Sequence, residues 1–429
     1  MKTVLILSPH FPPSSLAGVH RARHLAKHLP AHGWRPIIVR VDERHYPEVP
    51  DRALAALVPE TVEQIRTGAV PARLARFAGI GDIGLRGYPF FGRALAEAAA
   101  RFEAQLVLIT GSPYYPMLLA AGIRRRLRLP VVLDFQDPWV SADGATRPWP
   151  SKGRLAHQLA VALEPRAVKA AAWITSVSET QNAEMAARYP WLDARRMTAI
   201  PIGGDAEDFA ALRAAPAGAA DALLEPGRIN LCYVGTFLPH GGAVMRTLFR
   251  AVGWLAAHHP AAAERLRLVF VGTSNQPAGT ATGSPAHRVA RLAEEEGVAA
   301  LVREHPARVP FVDALTLLAR SDGVMMLGSD EPHYTASKIY PGLMSGRPWL
   351  SIFHARSSAH AILTEAGGGA AFGFSDPAAL PGLVPALGAT LLDLVEAPGR
   401  FGQVDPAAYA PYSAHAVAGR FAAVFEAAS

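Results

Sequence analysis

The sequence holds one cysteine, Cys232, in 429 residues. That excludes an internal disulfide and any zinc cluster of the CxxC type. Set in the apolar run Ile229 to Val234, Cys232 reads as a small buried hydrophobe. No continuous run of about 20 apolar residues is evident, so no membrane-spanning helix is expected. The opening run Thr3 to Leu7 stops at Ser8-Pro9, too soon for the apolar core of a signal peptide. A cytoplasmic location is the expectation. The GxGxxG of dinucleotide binders is missing, and Gly367-Gly368-Gly369 does not replace it. Charged residues make up only 18%, with no compact basic and aromatic stripe, which argues against nucleic-acid binding. The net charge of +6 suits phosphorylated ligands or peripheral contact with an anionic membrane surface. The densest cationic cluster, Arg124-Arg125-Arg126 with Arg128, reads as a solvated helix end.

Half of the residues are apolar, the composition of a globular enzyme, and the length favours two domains. Thr3 to Leu7 has the unbroken apolarity of a parallel strand buried on both faces. The loop Ser8 to Gly18 and a helix from about Val19 to His32 follow, with Val19, Ala22, Leu25, Ala26 and Leu29 in helical spacing. Pro36 to Val41 is the next strand, completing a βαβ opening. Further strands read at Leu106 to Thr110, Pro130 to Phe135, Trp173 to Ser178 and Met197 to Ile202. Residues 45 to 95 are broken by proline and glycine and show no clear period. Between Ala206 and Arg228 the composition turns to Ala, Pro and Gly, which marks a linker. A second βα series starts at Ile229 to Val234 and repeats at Leu266 to Val271, a short strand near Arg308 to Pro310, Gly323 to Gly328 and Trp349 to Phe353. The expectation is α/β: two Rossmann-like domains, 1–215 and 216–429, facing each other across a cleft. The last helix, about 414–427, packs back on the first domain in this reading.

Ligands of such sheets bind at the carboxyl ends of the strands. Two candidates there are Asp134 and Asp137, in Asp134-Phe135-Gln136-Asp137-Pro138-Trp139; the alternative is that both only form turns. The stretch Thr335 to Leu350 carries a second candidate. Ser337 reads as an N-cap, Ser345-Gly346 as the stop of a short helix, and Lys338 adds a full charge beside the positive helix end. That combination suits a phosphate, although an ordinary helix start with a solvated lysine has the same pattern.

Taken together, these phrases resemble GT-B glycosyltransferases of the large retaining family 4. The resemblance runs through Phe11-Pro12-Pro13 with Gly18-Val19-His20-Arg21, Asp134 to Trp139, Val177-Ser178, Ile200 to Asp205, Val234-Gly235-Thr236, Val271-Gly272, and Ser337-Lys338-Ile339-Tyr340 with Ser345-Gly346-Arg347-Pro348. It implies a nucleoside-diphosphate-sugar donor held by Gly235, Thr236, Phe237, Gly272, Thr273, Val309, Ser337, Lys338 and Ile339. It implies an acceptor, whether a sugar, a lipid-linked molecule or a small molecule, held by Gly18, His20, Arg21, Tyr114, Asp134, Asp137 and Trp139. Asp137, Lys338 and Glu331 are the implied catalytic residues, with no metal and no cofactor besides the donor substrate. The product class would be a surface polysaccharide, glycolipid or glycosylated metabolite.

Several family positions differ here. Pro341 stands where a ribose-binding glutamate is common, His333 where a second glutamate is common, and Gln136 where a histidine is common. No Arg/Lys pair lies between Gly235 and Val244, leaving Arg246 as the nearest cation in sequence. These departures keep open a non-catalytic partner subunit and, further off, a nucleotide-sugar epimerase. Stereochemistry follows from the candidate bases. His10, Asp134 and Asp137 show no orienting partner in sequence and Gln136 is no base, so front-face attack with retention is expected.

Overall fold

The computed structural model describes residues 1–77, 79–212, 221–238, 240–276, 286–331 and 337–429. They form two compact units, Met1–Ile202 with Ala414–Ser429, and Gly203–Ser413. The first unit is built on a seven-stranded parallel sheet: β1 Lys2–Leu7, β2 Trp34–Val41, β3 Glu63–Thr67, β4 Leu106–Gly111, β5 Val131–Phe135, β6 Trp173–Ser176 and β7 Met197–Ala199. The order across it is β3-β2-β1-β4-β5-β6-β7. The period of two along a strand sorts β1 between two cores. Leu5 and Leu7 join Val107, Ile109, Phe91 and Leu95 on one face. Val4 and Ile6 join Leu106, Leu108, Ala22, Leu25, Phe421 and Phe425 on the other. Because helices cover both faces, β1 reads as continuous apolar sequence.

The final helix, Ala414–Ala428, belongs to this unit. Its Phe425 meets the buried Trp34 edge-on at 5.2 Å. Chain reversal into the other unit comes earlier than the expected 215, between Ile202 and Gly203. The reason is local packing within the second unit. Gly204 donates its N–H to Tyr412 O at 3.0 Å, and it sits so close to Tyr340 and Met344 that a Cβ would stand 2.8 and 2.9 Å from them. The helix Ala206–Leu212 then packs on Phe311–Arg320.

The second unit repeats the plan with β8 Ile229–Val234, β9 Leu266–Gln276, β10 Val302–Ala307, β11 Gly323–Leu327, β12 Trp349–His354 and β13 Gly369–Phe374, in the order β10-β9-β8-β11-β12-β13. One face packs Leu231, Tyr233, Leu268 and Phe270 against the helices Gly242–His258 and Val384–Glu396. The opposite face seats Cys232 with Val269 and Val271. The short strand expected at Arg308 to Pro310 lies earlier, since β10 closes at Ala307 with a register shift around Pro306. Two strands escaped the sequence reading. β3 (EQIRT) is a half-buried edge, and β13 (GAAFGF) is built on glycine and alanine. Pro377–Glu396 is, against expectation, long and apolar enough by composition to cross a membrane. Here it is folded into the second unit, with Leu387, Leu391, Leu394 and Val395 buried.

Candidate functional site

In the second unit the loop after β8 and the N-cap of the helix Ile339–Met344 meet at one lysine, with Gly272 of β9 beside them. Gly235 leaves β8 at φ +145°, a backbone state that side chains rarely tolerate. A Cβ there would lie 3.2 Å from Lys338 Nζ, so the missing side chain makes the room the ammonium occupies. Gly272 (φ +79°), within β9, lies beside it, its would-be Cβ 3.9 Å from Gly235 N. Lys338 Nζ lies 4.3 Å from the Tyr233 ring centroid and donates to the Tyr233 hydroxyl. That hydroxyl in turn donates to Thr236 O at 2.8 Å. Burial holds the lysine far below its ordinary range, at about 7. A half-buried ammonium whose aromatic neighbour gives it no full counter-charge suits an incoming anion.

Phe237 is buried, and its N–H donates to Thr273 O at 2.9 Å. Over its ring, at 5.1 Å, lies Arg288, which also donates to Phe237 O and Thr273 O, both at 3.3 Å. Arg288 is a cation that reaches these residues, and no spacing rule pointed to it. Arg246, the cation nearest in sequence, is paired with Glu295 and with Glu296 at 3.1 Å. The Thr273 hydroxyl is spent on Glu304, so that side chain is structural. Val309 is half-buried in the turn between β10 and the next helix. Ser337 is exposed, and the N-cap is Lys338 with no side-chain cap, which corrects the expectation for Ser337. The helix, six residues with Pro341 inside, is too short for its dipole to carry the site, so the charge of Lys338 itself must. Ile339 is fully buried beneath it. Glu331 is exposed and His333 lies outside the described residues, as do Thr335 and Ala336 of the stretch that pointed to Lys338.

In the first unit, Tyr114, Asp137 and Trp139 come together at the carboxyl edge. The Tyr114 hydroxyl donates to Asp137 O at 3.0 Å, and its ring stacks on Trp139 at 5.6 Å. Trp139 is buried and closed from its other side by Tyr115 at 5.8 Å, so it supports the face rather than presenting it. Asp137 opens to solvent, yet enough protein surrounds its carboxyl to push the pKa up to about 6 by desolvation. Glu164, fully buried, anchors this loop by accepting from Val140 N at 3.1 Å. Gln136 donates to Gly18 O at 3.1 Å and to Thr110 Oγ1 at 2.7 Å, tying the first loop to β4 and β5.

Two expected acceptor residues are scaffold instead. Asp134 is fully buried, accepting from Thr110 and Thr175 hydroxyls at 2.8 Å each, with Arg21 Nε 3.2 Å away. Arg21, equally buried, donates to Pro201 O at 2.7 Å and Ile200 O at 2.6 Å and lies over Phe421 at 4.9 Å. Taking two charges out of water is tolerable only when they are paired with each other, and full burial closes both to a ligand. His20 sits on the same helix, held neutral with a pKa near 3 by burial and then by Arg23.

His10 departs from expectation in the other direction. Its Nδ1 lies 3.3 Å from Glu48 Oε1 and 3.4 Å from Ser14 Oγ, and its ring is 5.2 Å from that of Tyr46. Sequence showed no orienting partner because Glu48 lies in the stretch with no readable period. Among the described residues, no group of three His, Cys, Asp or Glu could hold a metal.

Residues 18–208 match the family described as Glycosyltransferase Family 4. No curated protein matches the sequence. Solved structures do match in fold. HepE of Anabaena, in complex with UDP-glucose, superposes with a TM-score of 0.58 at 13% identity, covering 99% of this chain and 98% of that one. The UDP-forming alpha,alpha-trehalose-phosphate synthase of Burkholderia vietnamiensis gives 0.60 at 15% identity, covering 99% and 96%. The trehalose-6-phosphate synthase OtsA gives 0.62 at 12% identity, covering 99% of both.

Proposed function

We propose that this glycosyltransferase, family 4-like and of GT-B fold, takes a UDP-sugar as donor and transfers its sugar, in the cytoplasm, to an acceptor hydroxyl. One observation carries the reading: a desolvated Lys338 ammonium seated where two glycines, Gly235 just past β8 and Gly272 within β9, strip the backbone bare. Such a place receives an anion at close range, and a diphosphate is the anion a sugar donor brings. Departure of the nucleoside diphosphate leaves an oxocarbenium-like sugar, so stabilising the leaving charge is the main chemical task. Lys338 would meet that charge, with Arg288 over Phe237 as a second cation near these loops. The reading assigns no metal or cofactor to the step. The acceptor would meet Asp137 and Tyr114, its class being a sugar, a glycolipid or a metabolite precursor.

Retention of the donor's anomeric configuration is supported by the family resemblance. The argument from absent bases no longer supports it, since Glu48 orients His10. That pair favours a second reading, in which the Nε2 lone pair of His10 takes the acceptor proton and the sugar is inverted. Proton NMR of the product after transfer from an α-linked UDP-sugar separates them. An α-linked product supports retention; a β-linked one that disappears in His10→Ala establishes the second reading. Failure of the protein to bind any nucleotide sugar by calorimetry would remove both.

A further inference from the structure

Two arginines of the densest cationic cluster, Arg124 and Arg128, line a cavity rather than a plain helix end. The cavity measures about 470 Å³ and is completed by Arg196, Trp173 and the end of the final helix at Ala427 and Ala428. All of these residues belong to the first unit. Arg128 comes shortly before β5, Trp173 opens β6, and Arg196 directly precedes β7. The cavity therefore lies at the amino edge of three neighbouring strands. Tyr114 and Asp137 lie at the carboxyl edge, about 13 Å further along β5 at roughly 3.3 Å per residue. Cavities of about 300–1,000 Å³ enclose small molecules.

The backbone of Arg128 is the first sign of use. The helix Ala120–Arg126 has Leu127 as its C-cap, and Arg128 follows at φ +58°. That left-handed position after a helix favours glycine, because a Cβ crowds the backbone there. Glycine would turn the chain with less strain, so the turn does not explain an arginine. What the arginine adds is a long cationic side chain on the cavity wall.

The charge around the cavity is poorly compensated. Arg124 donates to a neutral group, Ala170 O, at 3.1 Å. Arg196 lies 4.0 Å from Asp193, whose carboxylate already holds Arg195 at 3.0 and 3.2 Å. Glu426, next to Ala427, pairs with Lys2. Among the described residues, no carboxylate pairs with Arg128. Three guanidiniums around one concave space exceed what a single carboxylate neutralises. A phosphate or diphosphate brings more charge, and its oxygens match the guanidinium fork. The Trp173 N–H donates to Thr198 Oγ1 at 2.9 Å, so its ring offers a flat wall rather than a polar group.

We propose that this cavity is a second ligand site, which takes a small phosphorylated molecule on Arg124, Arg128 and Arg196. At the edge opposite Tyr114 and Asp137, its occupant is neither donor nor acceptor. One wall is the end of the final helix, so the occupant ties that helix to the starts of β5 and β6 and raises the thermal melt. The site rests on no part of the donor reading.

The test is calorimetric titration of inorganic pyrophosphate into the full chain carrying Lys338→Met, which removes the donor-site lysine. That variant should bind pyrophosphate at least about tenfold more tightly than acetate, and pyrophosphate should raise its melt. Arg128→Gly removes the side chain where glycine suits the backbone, so the fold is kept or strengthened. Adding Arg128→Gly and Arg196→Gln to Lys338→Met should lower pyrophosphate affinity at least about tenfold. In the otherwise native chain the same pair should leave UDP-glucose affinity within about twofold. No pyrophosphate binding by Lys338→Met, equally tight acetate binding, or undiminished binding by the folded triple variant would overturn the inference, leaving an adventitious ion only. So would a loss of UDP-glucose affinity on removing the two arginines, since the cavity would then not be separate from the donor site. Absence of UDP-glucose binding by the native chain, with pyrophosphate behaving as expected, would count against the donor reading alone.

Discussion

Binding of a nucleotide sugar should be accompanied by proton uptake at Lys338. In the free protein burial holds this lysine at about 7, against an ordinary value of about 10.4. A diphosphate arriving at Nζ supplies the missing counter-charge and raises the pKa again. Protonation is therefore linked to binding, and affinity is fully present below the free pKa and lost as pH rises through it. With a free pKa of about 7, about half of the lysines are charged at pH 7 and about one in eleven at pH 8. Uptake should then rise from about 0.5 to about 0.9 proton per donor bound, and affinity should fall about tenfold from pH 6 to pH 8, about 1.4 kcal/mol. A UDP-sugar is the right probe, since its phosphates do not titrate in this range. Calorimetry at each pH, in two buffers of different ionisation enthalpy, reads the proton count directly. Lys338→Met should weaken binding about tenfold or more at pH 6 and abolish the uptake. Constant affinity between pH 7 and 9 in the native protein, with no buffer-dependent heat, would refute the reasoning. So would uptake that persists in Lys338→Met.

Asp134→Ala strands the buried Arg21 guanidinium and should cost about 3–5 kcal/mol in urea unfolding; a loss under about 1 kcal/mol would deny that the pair is a staple. Asp137→Asn should reduce transfer and leave UDP-sugar affinity within about twofold by calorimetry; collapse of donor binding would move Asp137 out of the acceptor half. If transfer needs the Asp137 carboxylate, its pH profile should fall as pH drops through about 6, and Asp137→Asn should flatten that limb. Gly235→Ala adds a Cβ 3.2 Å from Lys338 Nζ at φ +145°, so it should weaken donor binding by about tenfold. Unchanged affinity in that variant would show that the glycine makes no room for the lysine.

Sequence alone determined what depends on neighbours along the chain. Buried parallel strands carry near-continuous apolar runs, so β1, β4, β5, β8 and the first half of β9 announce themselves, and the alternation with helices points to parallel sheets. Lys338 stood out as a charge at a helix start, and Gly235 and Gly272 through the family resemblance; the structure sets Gly235 against Lys338 and Gly272 beside Gly235. β3 and β13 were not legible, since an edge strand of EQIRT or a run of GAAFGF carries no hydrophobic period. The fates of Asp134 and Asp137, three residues apart, also could not be read. Strand alternation and the turn that follows turn one toward Arg21 and two threonine hydroxyls and leave the other open to solvent. Only the tertiary structure decided that Arg246 is spent on glutamates while Arg288 reaches Phe237 O and Thr273 O. It alone brought Glu48 to His10, across a stretch where prolines and glycines erase any period. Pairings of this kind are settled by which elements pack together, and a charged side chain takes whichever partner that packing leaves within about 4 Å.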